Sequence, residues 1–240
     1  MKTIKIAHLY YDLMNLYGEN GNVRFLQRQL DKQGFKTEVH FLSLEDKIKF
    51  DKYDIFYIGT GSENNQRLVL NNLITYKNDI LKAFKDGKWF IATGNALELF
   101  GKEIRLKDGN VLPTLNLFDF VVNEEEFRIV GEQLYSCNLT NSKIIGFQNR
   151  SSTIHEYDKF IFNVIDGTGV TPNNPVEGIF EDNFLGTYLL GPLLVRNPKF
   201  CDYLVKKICD NYDVPFIENK DTTAYKAYDE YLNNFIYNQK

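Results

Sequence analysis

Cysteine is scarce in this chain, with three in 240 residues at positions 137, 201 and 209. An odd, widely spaced set makes no disulfide framework, and without a CxxC pair a structural zinc site is not expected. Cys201 and Cys209 fall in an expected helix, where cysteine serves as a small buried hydrophobe. Positive charge is also short: 28 Lys and Arg stand against 32 Asp and Glu, a formal charge of −4. With no basic run to neutralise phosphates, general nucleic-acid binding is excluded. No apolar stretch approaches a membrane span, and the opening MKTIKIAHLYYDLMNLYG lacks the apolar core of a signal peptide. A cytoplasmic protein is therefore expected. Repeats, low-complexity tracts and linkers are missing too, so residues 1–240 are read as one domain.

What is present describes a folded α/β chain. Apolar residues make up 43% and charged residues 25%, enough for one large core. The aromatic share of 15% is read as core packing rather than a stacking platform. Strands are expected over Thr3–Leu9, Lys36–Leu42, Tyr53–Ile58 and Lys88–Thr93, with helices over Asn22–Gln33 and Asn64–Lys85 between them. That alternation points to a doubly wound, mostly parallel, flavodoxin-like sheet. Beyond Gly101 the pattern shortens: Phe118–Val122, Phe127–Ser136, Lys143–Gln148 and Lys159–Val164 read as added antiparallel strands. Asn183–Leu189 reads as a further strand and Pro198–Tyr212 as an amphipathic helix. The tail TTAYKAYDEYLNNFIY places aromatics at 225, 228, 231, 235 and 237, a helical stripe expected to dock on the core, with partner binding as the alternative.

The stretch KWFIATGNALELFG (88–101) is a strand, a sharp turn at Gly94-Asn95-Ala96 and a helix start at Leu97–Phe100. Such corners hold a reactive side chain above a sheet in many hydrolases. This one has neither cysteine nor serine at its apex. Four further stretches share its context: DLMNLYGENGNVRFL (12–26), IFYIGTGSENNQ (55–66) and, late in the chain, GFQNRSSTIH (146–155) followed by LGTYLLGPLL (185–194). Together and in this order they resemble the class I glutamine amidotransferase superfamily, in its branch of GatD-like glutaminase subunits. The resemblance covers about residues 4–215.

The resemblance implies a cysteine at the elbow that attacks the glutamine carbonyl and a histidine that serves as base and then acid. It places the cysteine on Gly94 and the histidine on Leu190, so no catalytic residue is expected. Thr93 offers a hydroxyl, but threonine needs an adjacent base. His8, His40 and His155 are expected in structural roles. Gly59, Gly61 and Ser62 match the oxyanion-side loop, with Thr60 where the family often has glycine. Arg128 matches an arginine that meets the substrate carboxylate, and Thr93 and Asn95 complete the set of substrate-binding candidates. Glu98 stands where the family usually has glutamine, and Arg150 where it has histidine. No cofactor or metal is implied. The branch works with a Mur-ligase-like, MurT-type subunit in lipid II amidation, a step of peptidoglycan biosynthesis. The expectation is thus a pseudoenzyme that acts as scaffold or regulator of such a partner. A small amino-acid-binding module using the vacated pocket and an active enzyme with different catalytic residues are the alternatives. Gly94 and Leu190 should meet at one sheet edge beside Gly59–Ser62, with Leu190 touching the elbow.

Overall fold

A computed structural model of the chain describes residues 2–218 and 222–237. The first part alternates strand and helix: β1 (Thr3–Leu9), α1 (Asn20–Lys32), β2 (Lys36–Leu42), β3 (Ile55–Ile58), α2 (Glu63–Leu73), α3 (Lys77–Lys85) and β4 (Trp89–Thr93). Then come β5 (Glu103–Arg105), β6 (Val111–Pro113), β7 (Val121–Cys137), β8 (Ser142–His155), β9 (Phe162–Asp166), β10 (Val176–Glu177), β11 (Ile179–Glu181) and β12 (Phe184–Thr187). The helices α4 (Leu193–Arg196), α5 (Pro198–Asn211) and α6 (Thr222–Tyr237) follow.

One sheet has the order β11-β12-β4-β3-β1-β2, parallel throughout except for the β11–β12 pair. Every residue of β3 (IFYI) and β4 (WFIAT) is buried, which is why these central strands read as continuous apolar runs. Alternate side chains go to opposite faces. Phe56 and Phe90 stack at 4.8 Å on the face covered by Val69, Leu73 and Ile80 of α2 and α3. Tyr57, Trp89 and Ile91 face Leu26, Leu30, Phe200 and Leu204 of α1 and α5. The sheet is therefore covered by helices on both sides, as the alternation of elements predicts.

The second sheet has the order β10-β9-β7-β5-β6, with β8 also on β7. Here the expected boundaries need correction. Phe118–Val122 and Phe127–Ser136 are not separate strands: Val121–Cys137 runs as one strand whose register against β8 shifts between Glu124 and Ile129. Three consecutive glutamates there break the polar–apolar alternation and imitate a turn. Likewise the strand expected over Lys143–Gln148 does not end there, and β8 continues through Asn149–Thr153 to His155.

The helix expected to start at Leu97 is instead a 3-10 segment that begins at Gly94. Gly94–Phe100 forms a 3-10 segment with six of its seven residues buried, and Gly101 ends it in an extended conformation. A segment without a solvent face has no amphipathic period to propagate as a surface helix. At Gly101 a side chain would stand 2.6 Å from the Phe120 ring, so the close approach of the residue that precedes β7 requires glycine.

The aromatic tail docks on its own chain. Tyr228 is buried against Leu134 and Ile145, with Tyr231, Leu232 and Phe235 beside it. Its hydroxyl donates to the Lys143 carbonyl at 2.7 Å, Tyr225 donates to Asp202 at 2.5 Å, and the Arg196 guanidinium lies 4.6 Å from the Tyr231 ring. Tyr228 is the buried member of the stripe, while Tyr225, Tyr231 and Phe235 stay partly exposed; the Tyr237 side chain lies outside the described residues. Among the described residues no helix is long and apolar enough to cross a membrane.

Candidate functional site

Because β12 pairs with β4 in parallel, with Thr187 opposite Thr93, the segments that follow the two strands emerge at the same sheet edge. Brought there, Gly94 and Leu190 touch. A Cβ built on Gly94 would lie 2.7 Å from Leu190 Cδ2 and 2.5 Å from Thr60 Oγ1, with Thr60 Cβ closer still. Leu190 is 1% exposed and pinned by its N–H to the Phe147 carbonyl at 2.8 Å. Gly94 keeps the left-handed backbone of a nucleophile elbow, φ +63°, while carrying no side chain. The space above it is filled by a leucine and a threonine.

Gly59 and Gly61 hold their loop against residues 13–19. Added Cβ atoms would meet the Met14 carbonyl at 2.5 Å and the Leu13 carbonyl at 2.7 Å respectively. Both glycines are therefore needed for close backbone approach. Ser62 caps α2, its hydroxyl accepting from Asn65 N–H at 3.2 Å. A cleft of about 210 Å³ opens beside this loop, with Thr60, Gly61, Ser62, Glu63, Asn95 and Arg128 on its walls. Arg128 is 46% exposed at the rim, ion-paired to Glu63 and donating to Asn149 Oδ1 at 2.7 Å. Gly59, Thr93, Gly94 and Leu190 lie behind the wall and not in the cleft.

Thr93 was a candidate for substrate contact, yet it is 1% exposed and points under the elbow. Its hydroxyl donates to Glu19, a carboxyl with no exposed surface that also accepts from Tyr57 at 2.5 Å and Asn22 at 3.4 Å. Burial pushes the Glu19 carboxyl up to about 7, against the pull of these donors. Glu19 escaped the sequence reading although it lies inside the DLMNLYGENGNVRFL stretch, because nothing local marks a glutamate as buried. A carboxyl raised in the folded state stabilises the fold fully below its unfolded value near 4.5, and this contribution is lost as pH rises through about 7. Glu19→Gln cannot ionise, so its stability relative to wild type should improve between pH 4.5 and 8, by roughly 3 kcal/mol in total. Urea unfolding of both proteins across that range checks this; a constant difference would refute it.

None of the histidines reaches the elbow. His8 is buried among Tyr57, Phe41 and Tyr11 with ring centroids 5.2, 5.7 and 6.4 Å away, and burial lowers it to about 4. His155 bonds Thr153 at 2.9 Å, and His40 packs on Tyr53. Arg150 is instead a buried ionic centre in the wall of the cleft, with Glu98 and Ser152 beside it. At 4% exposure it donates to Gln148 Oε1 at 2.9 Å, to Gly169 O at 2.5 Å and to Ser152 O, while lying 4.1 Å from the Tyr188 ring. Its charge pulls against the burial that raises the carboxyls of Glu98 and Glu177. Glu98 accepts from Gln66 at 2.6 Å and from Ser152, and Glu177 accepts from Thr187 at 2.6 Å and Tyr188 N–H at 2.7 Å. These contacts are structural, tying the second sheet to the elbow and to β12. Among the described residues no group of three His, Cys, Asp or Glu side chains is placed to hold a metal ion.

Residues 5–198 match the CobB/CobQ-like glutamine amidotransferase domain. The chain is 32% identical over 217 residues to the lipid II isoglutaminyl synthase (glutamine-hydrolyzing) subunit GatD of Staphylococcus aureus, covering 90% of this chain and 88% of that one. With the subunit of the same name from Streptococcus pneumoniae it shares 27% over 224 residues, 90% and 86% of the two chains. Among solved structures, PurLQS from Thermotoga maritima superposes with TM-score 0.54 at 13% identity, over 97% of this chain and all of that one. A crystal structure of a glutamine amidotransferase gives 0.55 at 13% identity, over 84% and 97%. At such identities these two speak for the fold alone. The matched family domain and the 32% identical relative, together with an elbow in the family's place, lead to one conclusion: the chain belongs to the CobB/CobQ-like glutamine amidotransferase family.

Proposed function

We propose that this protein is a cytoplasmic, GatD-like subunit of a lipid II-amidating assembly, folded as one domain, that does not hydrolyse glutamine. It serves a Mur-ligase-like, MurT-type partner as scaffold or regulator. The observation that carries the reading is the contact of Leu190 and Thr60 over Gly94, where a family member needs a thiol and an imidazole. Losing both nucleophile and base in comparable triads costs on the order of 10⁶-fold in rate. Thr93 is a poor substitute, since its hydroxyl is buried beneath the elbow and engaged by Glu19. The alternative of an amino-acid-binding module draws on the open cleft with its Arg128–Glu63 pair.

The test is ammonia release from L-glutamine, measured on the isolated chain and on the complex recovered from its native cell. No release above a buffer blank is expected in either. Release that disappears in Thr93→Val would overturn the reading. Recovery of the chain without any ligase-like protein would remove the scaffold role.

A further inference from the structure

The loop after β3 and the elbow are joined through one side chain, that of Asn95. Its Oδ1 accepts from the Gly61 N–H at 3.0 Å and from the Thr60 hydroxyl at 2.9 Å. Its Nδ2 donates to the Gly61 carbonyl at 2.9 Å. The Asn95 backbone is held as well, its N–H reaching Thr60 Oγ1 at 3.4 Å and its carbonyl accepting from Gln66 Nε2 at 2.7 Å. A primary carboxamide offers one oxygen with two lone pairs and two N–H donors. Both lone pairs and one donor of Asn95 are met by two consecutive loop residues.

The groups engaged are of the kind that work in catalysis. Backbone N–H groups at an elbow and in a facing loop are the donors that hold a carbonyl oxygen as it gains negative charge. Here the loop donor, Gly61 N–H, is taken by the Asn95 carboxamide, and the elbow donor, Asn95 N–H, is directed at Thr60. Asn95 is half-buried and forms part of the cleft wall, so its carboxamide stands between the cleft and those donors. Thr60 and Asn95 are 35 residues apart in sequence and bond each other twice. Residue 60 also fills the space over Gly94.

We infer that the elbow contains a binding site for a primary carboxamide and that the chain's own Asn95 occupies it. That position is thereby closed to the carboxamide of glutamine and to other external amides, in addition to lacking the groups that would hydrolyse them. The occupancy stands on the hydrogen bonds; only the absence of turnover rests on the functional reading above.

Acetamide has the same heavy atoms as the asparagine side chain beyond Cα, which makes it the probe. Asn95→Gly should unfold at a lower temperature than wild type and be selectively restabilised by acetamide. At about five times its Kd the ligand should raise Tm by roughly 2–4 °C. Acetate and N,N-dimethylacetamide, which lack the two donors, should not reproduce the shift, and wild type should respond to none of the three. Calorimetric titration with L-glutamine should show no binding to wild type and weak binding, without ammonia release, to Asn95→Gly. Where Asn95→Gly does not fold, Asn95→Ala takes its place with the same expected shift. Equal responses of variant and wild type to acetamide, or saturable glutamine binding by wild type, overturn the inference. Binding without ammonia would leave the inactive reading intact, whereas ammonia release would count against that reading instead.

Discussion

Gly94→Cys, the substitution that restores a thiol at the apex, should yield an inactive and clearly less stable protein. A non-glycine residue at φ +63° carries backbone strain of about 1–3 kcal/mol. The new Cβ would also stand 2.5 Å from Thr60 Oγ1 and 2.7 Å from Leu190 Cδ2, and overpacking of this kind costs about 1–3 kcal/mol more. For a chain of this size the sum corresponds to a fall in Tm of roughly 5–20 °C. Thr60→Gly should act with opposite sign in the two backgrounds. Alone it removes the hydroxyl that binds Asn95 and adds glycine flexibility, so it destabilises. Combined with Gly94→Cys it clears the nearest obstacle and restabilises. Thermal unfolding of the four proteins decides it, and a Gly94→Cys Tm within about 2 °C of wild type would mean that Thr60 yields freely. The thiol gains no activity either way, because Leu190 offers it no base.

The largest single effect is expected at Arg150. Arg150→Leu strips the donors from Gln148 Oε1, Ser152 O and Gly169 O, and removes the cation beside Glu98 and Glu177. Breaking such a buried ionic cluster costs about 3–5 kcal/mol, and Tm should fall by roughly 6–20 °C. The deficit should also depend on pH. Both carboxyls titrate above their unfolded value near 4.5, so their stabilising contribution is complete below that value and is lost as pH rises. Without the guanidinium their folded values rise further, and the gap between variant and wild type should widen towards neutral and alkaline pH. Arg150→Lys should recover little, since one ammonium cannot reach three acceptors and lie against Tyr188. Denaturant unfolding at pH 5 and pH 8 tests both statements; a deficit equal at the two values would show that the carboxyls do not sense Arg150.

Much of the fold was legible because the central strands β3 and β4 are written as buried apolar runs, while β1 and β2 beside them alternate polar and apolar residues. The ranges Thr3–Leu9 and Lys36–Leu42 coincide with β1 and β2, and the elbow strand differs from β4 by one residue. The chemistry at positions 94 and 190 was equally a matter of sequence, since residue type alone says that neither a thiol nor an imidazole is there. Local pattern failed where it was broken by residues serving another element. Three glutamates made one strand look like two, and the buried 3-10 segment after the elbow looked like the start of a helix.

What only the tertiary structure decided is what each site residue touches. Glu19 meets Thr93 across 74 positions, and Asn95 meets Thr60 and Gly61 across 35 and 34. Arg128 lies at the rim of the cleft while Thr93, assigned with it from sequence, lies behind the wall. The tail's aromatic stripe was expected to dock on the core, with a partner as the alternative, and the packing of Tyr228 in α6 against Leu134 and Ile145 bears out the docking. Periodicity reports which face of an element is apolar, a property of neighbours a few residues apart. Which elements share a face, and which polar groups are thereby buried together, depends on contacts between distant segments. The energies that shift Glu19 and would make a side chain at 94 costly arise from those contacts.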